Sequence, residues 1–125
     1  SSKARSNMIL QQIRPWEVRD TLVLEAMAHT PRERFVPKAY QTVAYSDTAI
    51  PLADGRILLE PKVIARALQA LDIKSNETVL EIGTGLGYVT ALLCQLADHV
   101  YSVEPNETLL DQAQHNLRLG YKNLT

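Results

Sequence analysis

Two carboxylates and three glycines carry most of the chemical information in this chain. Glu81 stands two residues before the run Gly83-Thr84-Gly85-Leu86-Gly87, and Glu104 stands 21 residues after Gly83. The segment Thr78–Ile82 reads as a strand entering the glycines, and an apolar-rich segment from Tyr88 leaves them. A glycine turn between strand and helix lets the backbone approach a ligand closely. NAD, a nucleotide phosphate and S-adenosylmethionine are the three candidates.

The residue types discriminate among them. The dinucleotide pattern G-x-G-x-x-G needs its third glycine at position 88, which is Tyr88. No Gly-Lys-Ser/Thr follows the glycines, so the phosphate-loop pattern fails. A carboxylate beside a pyrophosphate is repulsive. S-adenosylmethionine sets a sulfonium and an ammonium against one carboxylate, so Glu81 favours it. Glu104 closes a second predicted strand, where a doubly wound sheet addresses the ribose of its ligand. Hydrogen bonds to such a charged group contribute about 1.5–3 kcal/mol each. The candidate cofactor-binding residues are therefore Glu81, Gly83, Thr84, Gly85, Gly87 and Glu104. The competing reading is a plain tight turn with two solvated acids. The order acid, glycine turn, helix, strand, acid weighs against it.

The elements that must position these residues are legible around them. Residues 4–14 read as a helix ended by Pro15. Asp20 can cap a second helix through His29, with Leu22, Val23, Ala26 and Met27 at helical spacing. A short helical piece is predicted around Lys38–Val43, then a loop with one short strand at Ala49–Leu52. Pro61 suits the first turn of a helix whose Val63, Ile64, Ala67, Leu68 and Leu71 form one stripe. After the Ser75-Asn76 turn the pattern alternates: strand Thr78–Ile82, loop Gly83–Gly87, helix Tyr88–Leu96, strand Val100–Val103. Asn106 caps a last helix, with Leu109, Leu110, Ala113 and Leu117 on one side and Gly120 closing it. A third strand starts at Asn123-Leu124. The β-α-β-α-β order predicts parallel strands with right-handed crossovers.

The expected organisation is a helical segment over residues 1–55 and the N-terminal half of a doubly wound sheet over 56–125. A sheet of two or three strands with an open edge is not expected to stand alone, so a C-terminal half is expected beyond it, the alternative being that another copy completes the sheet. A net charge of −1 gives no bulk pull toward nucleic acid or an anionic membrane. "PRER", residues 31–34, is the one basic cluster and reads as a link between helices. No apolar run reaches membrane-span length. A single cysteine, Cys94, excludes an internal disulfide and makes the cytoplasm the expected compartment. It lies in an apolar helical stretch and reads as a buried small hydrophobe. His29, His99 and His115 are scattered and read as ordinary surface or boundary residues, and no metal is expected.

Taken together, these residues resemble the protein-L-isoaspartate O-methyltransferase family. "NMILQQIRPWEVRDTLVLEAMAHTPRERFVP" resembles its N-terminal helices and its Pro-Arg-x-x-Phe-Val-Pro signature, here Pro31, Arg32, Phe35, Val36 and Pro37. "AYSDTAIPL" resembles the loop that follows, "VLEIGTGLGYVTALL" the cofactor loop and "LGYKNLT" the approach to the third strand. The resemblance implies an α/β, Rossmann-like S-adenosylmethionine-dependent methyltransferase fold preceded by helices. It implies S-adenosylmethionine as methyl donor and an isoaspartyl carboxylate of a damaged protein or peptide as acceptor. A carboxylate is already ionised at pH 7, so the absence of a His-Asp or Cys-His pair is no objection.

The resemblance breaks at "DGRILLEPK". The family's loop reads roughly Gly-Gln-Thr-Ile-Ser-Gln-Pro, with Gly55 and Pro61 in register. Its Thr falls on Ile57 and its Ser, which the family places beside cofactor and acceptor, on Leu59. Leucine donates no hydrogen bond. Glu60 adds an acid where the family has an amide, either as the cap of the next helix or facing the acceptor. Two alternatives therefore stand beside the isoaspartyl reading: a cofactor-binding relative without that activity, and a methyltransferase with a different acceptor.

Overall fold

The computed structural model describes residues 1–118 and 120–125, which divide into two units, Ser1–Asp72 and Ile73–Thr125. In the first unit, helix α1 spans Ser2–Met8 and starts on the Ser1 hydroxyl, which accepts from the Ala4 N–H. It continues as a π-helical turn, Ile9–Ile13, and a 3₁₀ turn, Arg14–Trp16. The predicted single helix over 4–14 is thus three segments. Pro15 does not stop the coil, because in the first turn of the 3₁₀ segment its missing N–H has no partner to lose.

Helix α2, Thr21–Ala28, begins as predicted at Asp20, whose carboxylate accepts from the Leu22 and Val23 N–H groups. Val23, Ala26 and Met27 are buried, but Leu22 lies outside the stripe and is exposed. Helix α3, Pro61–Leu71, also buries a slightly rotated face: Pro61, Ile64, Ala65 and Leu68 point inward, while Ala67 and Leu71 are exposed. The larger of these, Val23, Met27, Ile64 and Leu68, each contribute roughly 1.5–3 kcal/mol. Glu60 occupies the N-cap position, where its backbone carbonyl, rather than its carboxylate, receives the first helical bonds.

Polar side chains fix α3 to the N-terminal segment. The Gln69 side chain accepts from the Arg19 and Asp20 N–H groups and donates to the Glu17 carbonyl. Arg66 donates to the Trp16 carbonyl at 2.7 Å. These bonds group α3 with the first unit, whereas the boundary expected from sequence lies ahead of it, at 55/56.

Strands β1, Ile50–Pro51, and β2, Ile57–Leu58, form an antiparallel hairpin. The sequence reading has β1 and lacks β2. The signal was Asp54-Gly55, both left-handed with φ 58° and 67°, a hairpin turn pair. Arg32 is fully buried and ties the segment before the hairpin to the residue that follows β2, donating to the Ala44 carbonyl at 2.7 Å and the Leu59 carbonyl at 2.9 Å. Within the "PRER" cluster Arg32 is thus a structural link, while Arg34 is exposed.

In the second unit, strand β3, Thr78–Ile82, pairs in parallel with β4, His99–Val103, in the register Thr78↔His99 to Ile82↔Val103. Leu124 bridges Val100 in parallel, so the third strand starts beside β4 as predicted. Helix α4, Tyr88–Leu96, joins β3 to β4 and is buried along most of its length. Asn123 closes its far end, donating to the Cys94 and Ala97 carbonyls. Helix α5, Glu107–Leu117, starts on the Asn106 side chain, which accepts from the Leu109 N–H. It ends ahead of the predicted stop at Gly120, and Leu119, within the "LGYKNLT" stretch, lies outside the described residues.

The period-two pleat puts Val79, Glu81, Val100 and Ser102 on one face and Leu80, Ile82, Tyr101 and Val103 on the other. The second set is exposed. No helix among the described residues is long and apolar enough to cross a membrane.

Gly87 carries a specific load. Its φ is +100°, and a Cβ there would sit 2.8 Å from the Leu117 Cδ1. Gly55, at φ +67°, has nothing within 4 Å of the same position. Left-handed backbone costs an L-residue roughly 1–2 kcal/mol. Gly55→Ala should therefore lose about that much stability by chemical denaturation, and Gly87→Ala clearly more, because the Leu117 contact adds to the strain. Equal losses would count against the packing of α5 on this turn.

Candidate functional site

The glycine run sits where β3 hands over to α4. Gly83, Gly85 and Gly87 all have positive φ, at 97°, 60° and 100°. The backbone is pinned from both sides. The N–H groups of Gly83 and Thr84 donate to the Val103 carbonyl at 2.8 and 3.2 Å, and the Gly87 N–H donates to the Thr84 carbonyl at 3.0 Å. Asn116 of α5 donates to the Leu86 carbonyl at 3.0 Å. The turn therefore follows the end of β4 as well as its own strand.

Glu104 reaches this turn directly. One carboxylate oxygen accepts the Gly85 N–H at 2.8 Å and the other the Asn106 N–H at 2.9 Å. A carboxylate bonded to two backbone donors is held in a fixed orientation at the strand ends. Doubly wound sheets bind their ligands in that crevice.

Glu81 lies differently. Its side chain is on the pleat face shared with Ser102, and one of its oxygens accepts hydrogen bonds from the hydroxyls of Thr90 and Ser102. The Ser102 hydroxyl is also 2.6 Å from that of Thr84. The structure thus gathers Gly83, Thr84, Gly85, Gly87 and Glu104 around one turn and sets Glu81 among hydroxyls beneath it. Ser102 and Thr90 are absent from the sequence-derived set. Alternation alone could have found Ser102, because the register pairs it with Glu81 on the same face.

Burial pushes the Glu81 carboxyl above the ordinary carboxylate range, the hydrogen bonds from Thr90 and Ser102 oppose this, and the charge of Glu104 adds to the rise. Burial and then the Glu81 charge push the Cys94 thiol up to about 11. Cys94 is accordingly a protonated, buried thiol, in keeping with the sequence reading.

The donor set suits a cationic ligand better than a pyrophosphate. Two acids flank the turn, and the position of the third dinucleotide glycine is taken by Tyr88, which is buried. A carboxylate held at the end of β4 also fits a ribose diol. These features define an α/β unit of the S-adenosylmethionine-dependent methyltransferase fold.

Comparison with known proteins narrows this class. The family model for protein-L-isoaspartate(D-aspartate) O-methyltransferase matches residues 3–125, and the chain belongs to that family. It is 41% identical over 123 residues to protein-L-isoaspartate O-methyltransferase 1 of Syntrophobacter fumaroxidans, covering 98% of this chain and 58% of that one. It is 44% identical to the protein-L-isoaspartate O-methyltransferase of Syntrophus aciditrophicus, covering 98% of this chain and 56% of that one. The chain thus spans little more than half the length of these relatives. A solved protein-L-isoaspartate O-methyltransferase superposes with a TM-score of 0.82 at 26% identity, over 96% of this chain and 40% of that one. A Plasmodium falciparum structure, described as a putative member in complex with S-adenosyl-L-homocysteine, shares the fold at a TM-score of 0.76 and 18% identity, over 98% of this chain and 60% of that one.

The raised Glu81 pKa has a definite sign. A carboxyl whose folded value lies above its ordinary 4.5 favours folding most when protonated, and that contribution is lost as pH rises through the folded value. The wild-type protein should lose stability relative to Glu81→Gln across that window, with a constant difference above it. Thermal denaturation of both proteins as a function of pH measures this. Parallel curves would mean that Glu81 ionises as readily folded as unfolded.

Proposed function

We propose that the protein to which this chain belongs is an S-adenosylmethionine-dependent methyltransferase acting on isoaspartyl carboxylates in damaged proteins or peptides. The observation that carries the reading is the Glu104 carboxylate bonded to the Gly85 N–H at the strand ends, in a chain of this family. Glu104 accepts from the ribose hydroxyls. The backbone of Gly83, Thr84, Gly85 and Gly87 borders the nucleoside and its amino-acid tail. Glu81 supports the turn from beneath and adds negative potential toward the cationic donor.

When bound, the cofactor supplies an electrophilic methyl group. The acceptor carboxylate is ionised at neutral pH, so the protein needs no general base. Its task is to hold one carboxylate oxygen in line with that methyl, and orientation of this kind can supply much of the barrier reduction. The single cysteine is buried and suits a reducing compartment, which supports placing the protein in the cytoplasm.

A second reading has one observation of its own. Leu59 stands where the family's loop carries Ser, and it is 43% exposed just past the hairpin. A relative that binds cofactor without isoaspartyl turnover, or with another acceptor, would carry such a change.

Calorimetry on the protein at its natural length tests the first reading. S-adenosylhomocysteine should bind, and Glu104→Ala should weaken it about tenfold or more, the loss of one or two charge-assisted hydrogen bonds. No binding at millimolar concentrations would remove the assignment. Methylation of an isoaspartyl peptide with labelled donor then separates the two readings. If Leu59 limits the reaction, Leu59→Ser should raise turnover by about ten- to a hundredfold, equivalent to about 1–3 kcal/mol. Cofactor binding with no turnover in either protein would leave the second reading.

A further inference from the structure

The four side chains beneath the glycine turn form a connected chain with a direction. Thr90 and Ser102 both meet one oxygen of Glu81, and Ser102 also meets Thr84 at 2.6 Å. An ionised carboxylate only accepts hydrogen bonds. Ser102 has a single hydroxyl proton, and it goes to Glu81 at 2.7 Å. The proton shared between Ser102 and Thr84 must therefore come from Thr84. The polarity set by the buried charge passes through Ser102 to a residue of the turn itself.

Thr84 is the natural end point. It is 8% exposed, its N–H donates to the Val103 carbonyl at the end of β4, and its C=O accepts from Gly87 within the turn. Beside these backbone bonds, its side chain reaches the covered face of the sheet at Ser102. Thr90, fully buried, holds the same Glu81 oxygen from the α4 side.

We infer that Ser102 is a positioning residue for the cofactor turn, coupling Thr84 to the Glu81 carboxylate so that the turn is held in its binding shape before ligand arrives. The inference deepens the proposed cofactor site and rests on that reading for its ligand. Preorganisation of this kind raises affinity by removing the cost of ordering the backbone on binding. Thr84, Thr90 and Ser102 also border a cavity of 260 Å³. A water from that space can partly replace a deleted hydroxyl, which limits the loss.

The test is a double-mutant cycle at Thr84 and Ser102 in the natural-length protein, read by calorimetry with S-adenosylhomocysteine. Ser102→Ala and Thr84→Val should each weaken binding about tenfold, and the double variant should be no more than about twofold worse than either, because both cut the same connection. Ser102→Thr, which keeps the hydroxyl, should bind within about threefold of wild type. The acceptor-peptide KM should stay within about twofold throughout, a split that general destabilisation would not give. Additive losses near a hundredfold in the double variant, or wild-type affinity in Ser102→Ala, would overturn the inference. If Ser102→Ala does not fold, Ser102→Cys, with a weaker donor in similar volume, takes its place with the same expected order. Wild-type protein that fails to bind S-adenosylhomocysteine would instead remove the proposed function. Amide exchange over residues 83–87 in the same variants then decides: equally faster exchange in both singles and the double supports the coupling, and unchanged exchange sinks it.

Discussion

The parallel register of β3 and β4 is the constraint on which the site depends. It sets Glu81 beside Ser102 and Ile82 beside Val103, so the strands end level and the turn leaves one strand beneath the last carbonyl of the other. The Val103 carbonyl then receives two N–H groups of the turn. A slip of one residue would move Glu81 to the exposed face and Ile82 under the helices. The hydroxyl network and the Val103 contacts would both be lost. The apolar members of each face and the polar pair within one face therefore select the same pairing.

The two acids near the turn have divided tasks because their environments differ. Glu104 is half-buried and bonded to the backbone N–H groups of Gly85 and Asn106. Glu81 is covered by α4 and meets two hydroxyls, so its charge is stabilised locally and its ionisation is resisted by burial. A charge argument from sequence treats both as equal partners of a cation. The geometry sets one on the backbone of the turn and the other among hydroxyls beneath it. Glycine at 83, 85 and 87 permits the left-handed path, and Leu117 packed against Gly87 makes α5 part of the same assembly.

In the first unit, a buried guanidinium performs a comparable ordering task. Arg32 bonds to the Ala44 carbonyl, ahead of the β1–β2 hairpin, and to the Leu59 carbonyl, just past β2. Removing an arginine from water is costly unless it is well hydrogen-bonded, so the surrounding backbone is under strong pressure to keep this arrangement. The residue that follows the hairpin is thus tied by its backbone to a buried charge.

The sequence by itself determined the second unit's elements, the caps at Asp20 and Asn106, the glycine turn and the family. Those features are local: a capping oxygen, a left-handed glycine or a two-residue alternation acts within a few positions of itself. Tertiary structure alone decided which flank of α2 and α3 is buried, since several nearby faces of a short helix are apolar enough to serve. It also decided that α3 joins the N-terminal segment, through Gln69 and Arg66, and that Glu81 looks inward to Thr90 and Ser102. A hydrogen bond between residues about twenty or fifty positions apart leaves no periodic trace in the chain. It exists only once packing has brought its donor and acceptor together and taken away the water that would otherwise satisfy them.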